Sequence, residues 1–126
     1  MKNTISIEIN APINTVFDFS INPENTGLWC VGILKEKVDG YPIENGTVYE
    51  NTCNGSEWNK YTVVGFKKNQ YFKLKSETSD YCVEYFYEII TPDKTLLTYS
   101  ETSATLDNPL QIGALQELKK LIENNL

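Results

Sequence analysis

The chain contains no histidine and no arginine, so all 11 of its basic residues are lysines. Without histidine it cannot build a Ser-His-Asp triad, a Cys-His nucleophile pair or an imidazole metal site. Without arginine it lacks the bidentate donor that binds phosphate and guanine, and its net charge of −6 repels a nucleic-acid backbone. We therefore expect no nucleic-acid partner.

The chain is also poor in cysteine. Cys30, Cys53 and Cys82 are an odd number with no CxxC spacing, which argues against a disulfide framework and against a zinc site. None has a basic neighbour in sequence that would activate it, so we expect small buried hydrophobes or unreactive thiols. We expect neither a metal nor another cofactor.

Long apolar runs are absent as well. The first ten residues lack the apolar core of a signal peptide, and no run approaches membrane-spanning length. We therefore expect a cytoplasmic protein without membrane insertion. With 126 residues, 40% hydrophobic and 12% aromatic, the chain predicts one folded domain over residues 1–126.

The first thirty residues predict a strand followed by two short helices. Isoleucines alternate with polar residues from position 5 to position 9, which is the period of a half-buried strand. Pro12 begins one helix, and Asn22-Pro23 supplies a cap and a proline for a second. We expect Gly27 to end that helix and Trp29 to plug the core.

The middle of the chain has turn signals between strand-like runs, a pattern typical of an antiparallel meander. Asn54-Gly55 is the strongest turn signal and predicts a type I′ hairpin. Long strands twist and bend, so the sheet should be strongly curved. The strand-like runs are Thr47–Cys53, Trp58–Phe66, Tyr71–Thr78, Tyr81–Ile90 and Thr95–Thr102.

The C-terminal segment predicts one amphipathic helix that begins at Asn108-Pro109 and runs for about 27 Å. Its apolar stripe is Leu110, Ala114, Leu115, Leu118, Leu121 and Ile122. A single helix covers a wide concave sheet poorly, so space is expected to remain between them.

Several short motifs resemble the START-like superfamily, also called SRPBCC. They are the Ile-Asn-Ala-Pro-x-x-x-Val-Phe-Asp-Phe run, Trp29 after the second helix, Gly46-Thr47 at a strand start, the 91–97 hairpin and the helix end at 118–123. That group includes polyketide cyclase/dehydrases, lipid-transfer domains and the birch-pollen allergen. The resemblance implies an α+β helix-grip fold. In that fold a curved antiparallel sheet of about seven strands wraps a long C-terminal helix, and two short helices lie between strands 1 and 2.

Strand alternation indicates which side chains face the expected cavity. Val83, Tyr85, Tyr87 and Ile89 form the more apolar face of their strand, and Leu97 and Tyr99 share a face with Glu101. A carboxylate among tyrosines is desolvated, which makes Glu101 a candidate general acid or base. The predicted ligand-binding residues are Tyr85, Tyr87, Tyr99, Glu101, Trp58, Phe72, Leu115 and Leu118; we assign no catalytic residue. The alternative is that the tyrosines only fill the core and Glu101 is solvated at a strand end.

Three functions are compatible with this sequence. The first is non-enzymatic binding of a small hydrophobic or aromatic molecule by a monomer or homodimer. The second is an enzyme of the polyketide cyclase/dehydrase kind, in which a pocket carboxylate or tyrosine moves a proton. The third is a protein-interaction module like the cochaperone branch of the same superfamily. A polar group inside an open cavity would favour the second, and a filled interior with an exposed apolar patch would favour the third.

Overall fold

The computed structural model describes all residues from 1 to 126 and has the predicted α+β helix-grip architecture. Its elements in chain order are β1 (Lys2–Ile9), α1 (Ile13–Ile21), α2 (Pro23–Trp29), β2 (Lys35–Val38), β3 (Val48–Thr52), β4 (Asn59–Lys67), β5 (Tyr71–Ser76), β6 (Cys82–Thr91), β7 (Lys94–Thr102) and α3 (Ile112–Asn124). The seven strands form one curled antiparallel sheet in the order β1-β7-β6-β5-β4-β3-β2. No helix is long and apolar enough to cross a membrane.

Chain neighbours pair throughout this sheet except at one place, where β1 pairs with β7. The register places Ile5 opposite Tyr99 and Ile7 opposite Leu97, so the first and last strands share one inner face. Register shifts between Val63 and Gly65 and near the tip of β6 interrupt the ladder. Such bulges bend a strand and increase its twist, which helps the sheet to curl.

The two short helices form the predicted wedge between β1 and β2. The side chain of Asn22 caps α2 by accepting a hydrogen bond from the amide of Glu24 at 3.0 Å. Trp29 is buried, as expected for a core plug. The prediction that Gly27 ends α2 is wrong, because the helix continues to Trp29. Glycine is required there for a different reason: a Cβ would lie 2.7 Å from the carbonyl oxygen of Leu34.

The last helix begins later than predicted. Its first residue is Ile112, so Asn108-Pro109-Leu110 precedes it as an irregular segment. The backbone of Leu110 is held elsewhere: its amide donates to Glu101 at 2.6 Å and its carbonyl accepts from Asn3 at 3.0 Å. The 13 residues of α3 therefore span only about 20 Å at 1.5 Å per residue.

Two further local predictions are corrected. Asn54-Gly55 is not a type I′ turn, because that turn needs positive φ at both residues and only Gly55 has it. Instead the side-chain oxygen of Asn54 accepts from the amides of Ser56 and Glu57, both at 2.9 Å, within a longer loop. Ile89 is 64% exposed, so the inward alternation predicted for β6 ends at Tyr87 and does not include Ile89.

Candidate functional site

An internal cavity of about 260 Å³ lies against the inner face of the sheet. Its walls come from β2 to β7 and the wedge helices, and residues 30–33 and the segment around Asn108 and Leu110 also line it. Of its 22 lining residues, 14 are hydrophobic, so it is an apolar space with a minority of polar groups. That composition is typical of small-molecule sites, although the volume is slightly below their usual range of about 300–1,000 Å³.

The structure brings four of the eight predicted site residues together on this cavity. Tyr85, Tyr99, Phe72 and Glu101 all line it, and each is at most 7% exposed. They come from three adjacent strands, β5, β6 and β7, whose alternation places these residues on the concave face. Whether they bind a ligand stays a prediction.

The other four predicted residues lie outside the cavity wall. Tyr87 is buried further along β6, where its hydroxyl pairs with that of Ser20 at 2.6 Å. Leu115 and Leu118 are fully buried on α3 and belong to the packed core. Trp58 is 37% exposed on the outside, with the ammonium of Lys37 4.5 Å above its ring.

The aromatic wall contains more tyrosines than alternation alone predicted. Five of the eight tyrosines in the chain line the cavity, and the additional ones are Tyr49, Tyr61 and Tyr81. The rings meet edge to face: the centroids of Tyr85 and Tyr99 are 5.2 Å apart and those of Phe72 and Tyr85 are 5.7 Å apart. Such pairs prefer this geometry and fix one another's orientation, which favours a preformed wall.

The tyrosine hydroxyls are not equivalent. Tyr49 donates to the carbonyl oxygen of Ile21 at 2.7 Å, and Tyr81 donates to the carboxylate of Glu101 at 2.7 Å. The hydroxyl of Tyr85 makes no hydrogen bond within the protein. The atom keeps some accessible surface, so it faces the cavity that Tyr85 lines. Burial raises the pKa of Tyr85 well above its ordinary value, which keeps the phenol neutral.

Glu101 is 3% exposed, so it is not the solvated strand-end carboxylate of the alternative reading. One oxygen accepts from the hydroxyl of Tyr81, and the other accepts from the side-chain amide of Asn3 at 2.9 Å and from the amide of Leu110 at 2.6 Å. Three donors satisfy a buried carboxylate that has no cationic partner. Its first role is therefore to hold three parts of the chain together.

Glu36 is a second cavity carboxylate, and the strand prediction missed it. Its oxygens accept from the hydroxyl of Thr26 at 2.6 Å and from the side-chain amide of Asn51 at 3.3 Å. Desolvation by burial raises the pKa of Glu36, and these two hydrogen bonds oppose the rise. The available signal was the Lys-Glu-Lys-Val run of β2: if both lysines face solvent, the alternation of a strand turns Glu36 inward.

Cys30 lines the same cavity as the two carboxylates. Its pKa is raised to about 12, first by burial and then by the negative charges of Glu36 and Glu101. The thiol is therefore protonated at neutral pH and is a poor nucleophile. No cluster of three or more potential metal ligands is present.

No family model matches the chain, and no curated protein matches it. Several solved structures do match the chain. A protein of Nitrosomonas europaea has 12% identity and a TM-score of 0.79, and the match covers 100% of this chain and 96% of that one. XoxI of Bacillus cereus has 14% identity and a TM-score of 0.75, and the match covers 98% of this chain and 96% of that one. CalU16 of Micromonospora echinospora has 17% identity and a TM-score of 0.73, and the match covers 98% of this chain and 77% of that one. At these identities the likeness shows a shared curled-sheet fold and no shared activity.

Proposed function

We propose that this protein binds a small aromatic or apolar molecule in its internal cavity, without covalent chemistry. The observation that carries the proposal is an apolar cavity of about 260 Å³ whose wall presents the hydroxyl of Tyr85, which makes no hydrogen bond within the protein. A hydroxyl that no protein group engages is free to hydrogen-bond to a ligand placed in the cavity. Apolar walls supply affinity and the few polar points supply orientation.

The family assignment belongs to the same proposal. We infer that the chain is a START-like protein, because the helix-grip architecture accompanies the Ile9–Phe19 motif and the terminal helix pattern. Internal cavities that hold apolar molecules are what this resemblance implies. A cytoplasmic location and a monomeric or dimeric state remain parts of the proposal.

The test is native mass spectrometry of the protein after incubation with a small-molecule extract of its host. We expect a stoichiometric added mass on the wild type. Val83→Phe places a ring into the cavity from β6 and should abolish that mass, whereas Val64→Phe, at a 48% exposed position on β4, should retain it. Circular dichroism checks that both variants fold, and Leu74→Phe is a second filled variant. Equal added mass on filled and control variants would place the ligand elsewhere.

An acid–base enzyme is the second candidate, and Glu36 is the observation that favours it. A carboxyl on a cavity wall whose pKa is raised by burial is a candidate to accept and return a proton. The test follows the bound mass over time in wild type and in Glu36→Gln. A mass that changes only in the wild type would support turnover, and an unchanged mass in both would support binding alone. The protein-interaction module receives no comparable support, because the interior is not filled.

A further inference from the structure

The charges around the cavity have one sign. Glu36 and Glu101 both line it, and none of the 11 lysines does. The chain has no arginine or histidine that could serve as a counter-ion. Glu101 is buried and Glu36 is half-buried, and a carboxylate withdrawn from water normally has a cationic partner, because its desolvation costs several kcal/mol that hydrogen bonds recover only in part. This inference concerns the chemistry of the ligand and rests on the proposed binding function.

The lysines nearest in sequence are directed away from the cavity. Lys35 and Lys37 flank Glu36 on β2 and are both exposed. Lys37 lies 3.8 Å from Glu50 and 4.5 Å from the ring centre of Trp58, on the outer face of the sheet. They are therefore not available to neutralise the inward carboxylate.

Glu36 is the carboxylate with spare capacity. It has one good donor, the hydroxyl of Thr26, and a longer contact of 3.3 Å with Asn51, whereas Glu101 has three donors. A carboxylate has about four lone-pair sites, so Glu36 can accept two further hydrogen bonds. The raised pKa of Glu36, which burial causes, agrees with a negative charge that the protein compensates incompletely.

The thiol of Cys30 lies within reach of both carboxylate charges. After burial, the causes that raise its pKa are the charges of Glu36 and then Glu101. Both carboxylates therefore contribute to the electrostatic potential inside the cavity, although Glu36 on β2 and Glu101 on β7 lie on strands that are far apart in the sheet order. An anion placed there would meet two like charges, and a cation would meet two opposite ones.

The aromatic wall also favours a ligand with a positive charge. Tyrosine rings have a negative face that attracts an ammonium group, and the attraction strengthens when the site is desolvated. Tyr49, Tyr61, Tyr81, Tyr85 and Tyr99 all contribute to the lining. The unpartnered hydroxyl of Tyr85 adds a hydrogen-bonding group beside them.

We propose that the ligand of this cavity is a small protonated amine with an aromatic or apolar body, whose ammonium group binds Glu36 and lies against the tyrosine rings. The apolar body occupies the space between Phe72, Leu74 and Val83. Glu101 adds to the negative potential but remains bonded to its three protein donors.

Isothermal titration calorimetry with three matched probes tests this assignment. The probes are 2-phenylethylamine, 2-phenylethanol and 3-phenylpropionate, which present a cation, a neutral group and an anion on a similar body. We expect the amine to bind the wild type at least about tenfold more tightly than the alcohol, and the carboxylate to bind weakest. Glu36→Gln should reduce the preference for the amine severalfold, and Glu57→Gln, which removes an exposed carboxylate, should leave it unchanged.

The outcomes separate the two proposals. Binding of the alcohol as tightly as the amine overturns the inference and leaves the binding function standing. A preference that survives in Glu36→Gln overturns the assignment to Glu36. Failure of all three probes to bind contradicts the proposed function and the inference with it. The comparison of probes on the wild type requires no variant, so it holds even if Glu36→Gln does not fold.

Discussion

The hydroxyl of Tyr81 donates a hydrogen bond of 2.7 Å to Glu101, a residue 20 positions later in the chain. The second oxygen of the same carboxylate holds the side chain of Asn3 in β1 and the amide of Leu110 before α3. One buried side chain thus joins the first strand, the turn before β6 and the segment that leads to the last helix. The same oxygen atoms belong to the cavity wall, so architecture and site share a residue.

Replacement of Glu101 by glutamine should destabilise the protein by about 2–3 kcal/mol. The amide of glutamine is a donor on one side, so at least one of the three buried donors loses its acceptor. Urea denaturation measures the change, and hydrogen exchange at the Leu110 amide should become faster. Glu117→Gln, at an exposed position on α3, is the control and should change the stability by less than about 0.5 kcal/mol. A neutral effect at Glu101 would show that its hydrogen bonds do not stabilise the fold.

The stability difference between wild type and Glu36→Gln should depend on pH. Burial raises the pKa of Glu36 in the folded state above its ordinary value of 4.5, so the ionised form costs stability above the folded pKa. That cost disappears as the pH falls through the folded pKa, because the folded state then binds a proton before the unfolded state does. Glutamine cannot titrate.

Measured by urea denaturation, the wild type should therefore gain stability relative to Glu36→Gln as the pH falls from neutrality toward 4.5, the ordinary carboxyl pKa. Groups that titrate equally in both proteins cancel in this difference. Of the groups whose charges act with Glu36 on this space, Cys30 and the tyrosines stay neutral throughout that range. A stability difference that does not change with pH, or that favours Glu36→Gln more as the pH falls, would contradict a raised pKa for Glu36.

The cysteines should react with iodoacetamide at very different rates. The pKa of Cys30 is about 12, so its thiolate fraction at pH 8 is at least about a hundredfold below that of an ordinary thiol. Cys53 is exposed and should be modified first. Peptide mass spectrometry over time measures the two rates. Equal labelling of Cys30 and Cys53 in the folded protein would show that the negative, buried environment of Cys30 is not as described.

Two helical glycines should respond to alanine in opposite directions. Gly27→Ala should destabilise by about 1–3 kcal/mol, because its Cβ would meet the Leu34 carbonyl oxygen at 2.7 Å and the backbone would have to move. Gly113→Ala has no heavy atom within 4 Å of the new Cβ and should stabilise by about 0.5–1 kcal/mol through helix propensity. Thermal unfolding of both variants gives the signs. A stabilising Gly27→Ala would mean that α2 and the segment before β2 are not in close contact.

Much of the fold was predictable because the strand signals are local. Alternation placed Val83, Tyr85 and Leu97 on the inner face, and all three are buried. The errors arose where a distant partner overrides a local signal. Asn108-Pro109 has the sequence of a helix start, yet Glu101 and Asn3 hold the backbone of Leu110 and delay the helix to Ile112. Sequence spacing carries no information about such a contact across the sheet.

The site was less predictable than the fold. Tyr85, Tyr99 and Glu101 lie on long strands whose period is clear, so their cavity-facing positions could be inferred. Glu36 lies on a four-residue edge strand, which is too short to give a reliable period. Tyr87 and Leu115 show the converse: they face inward as alternation and helical spacing indicate, but the interior at their positions is filled. Burial can be read from a pattern, whereas an empty volume depends on how side chains from several elements meet.

Two irregular segments, residues 30–33 and the stretch around 108–110, contribute exposed residues to the lining of the cavity. Segments of this kind move on nanosecond to microsecond timescales, whereas separation of paired strands requires much slower local unfolding. Entry and exit of a molecule therefore need no break in the sheet. The hydrogen bond from Leu110 to Glu101 ties one of these segments to the sheet, so a residue of the cavity wall also restrains how far that segment moves.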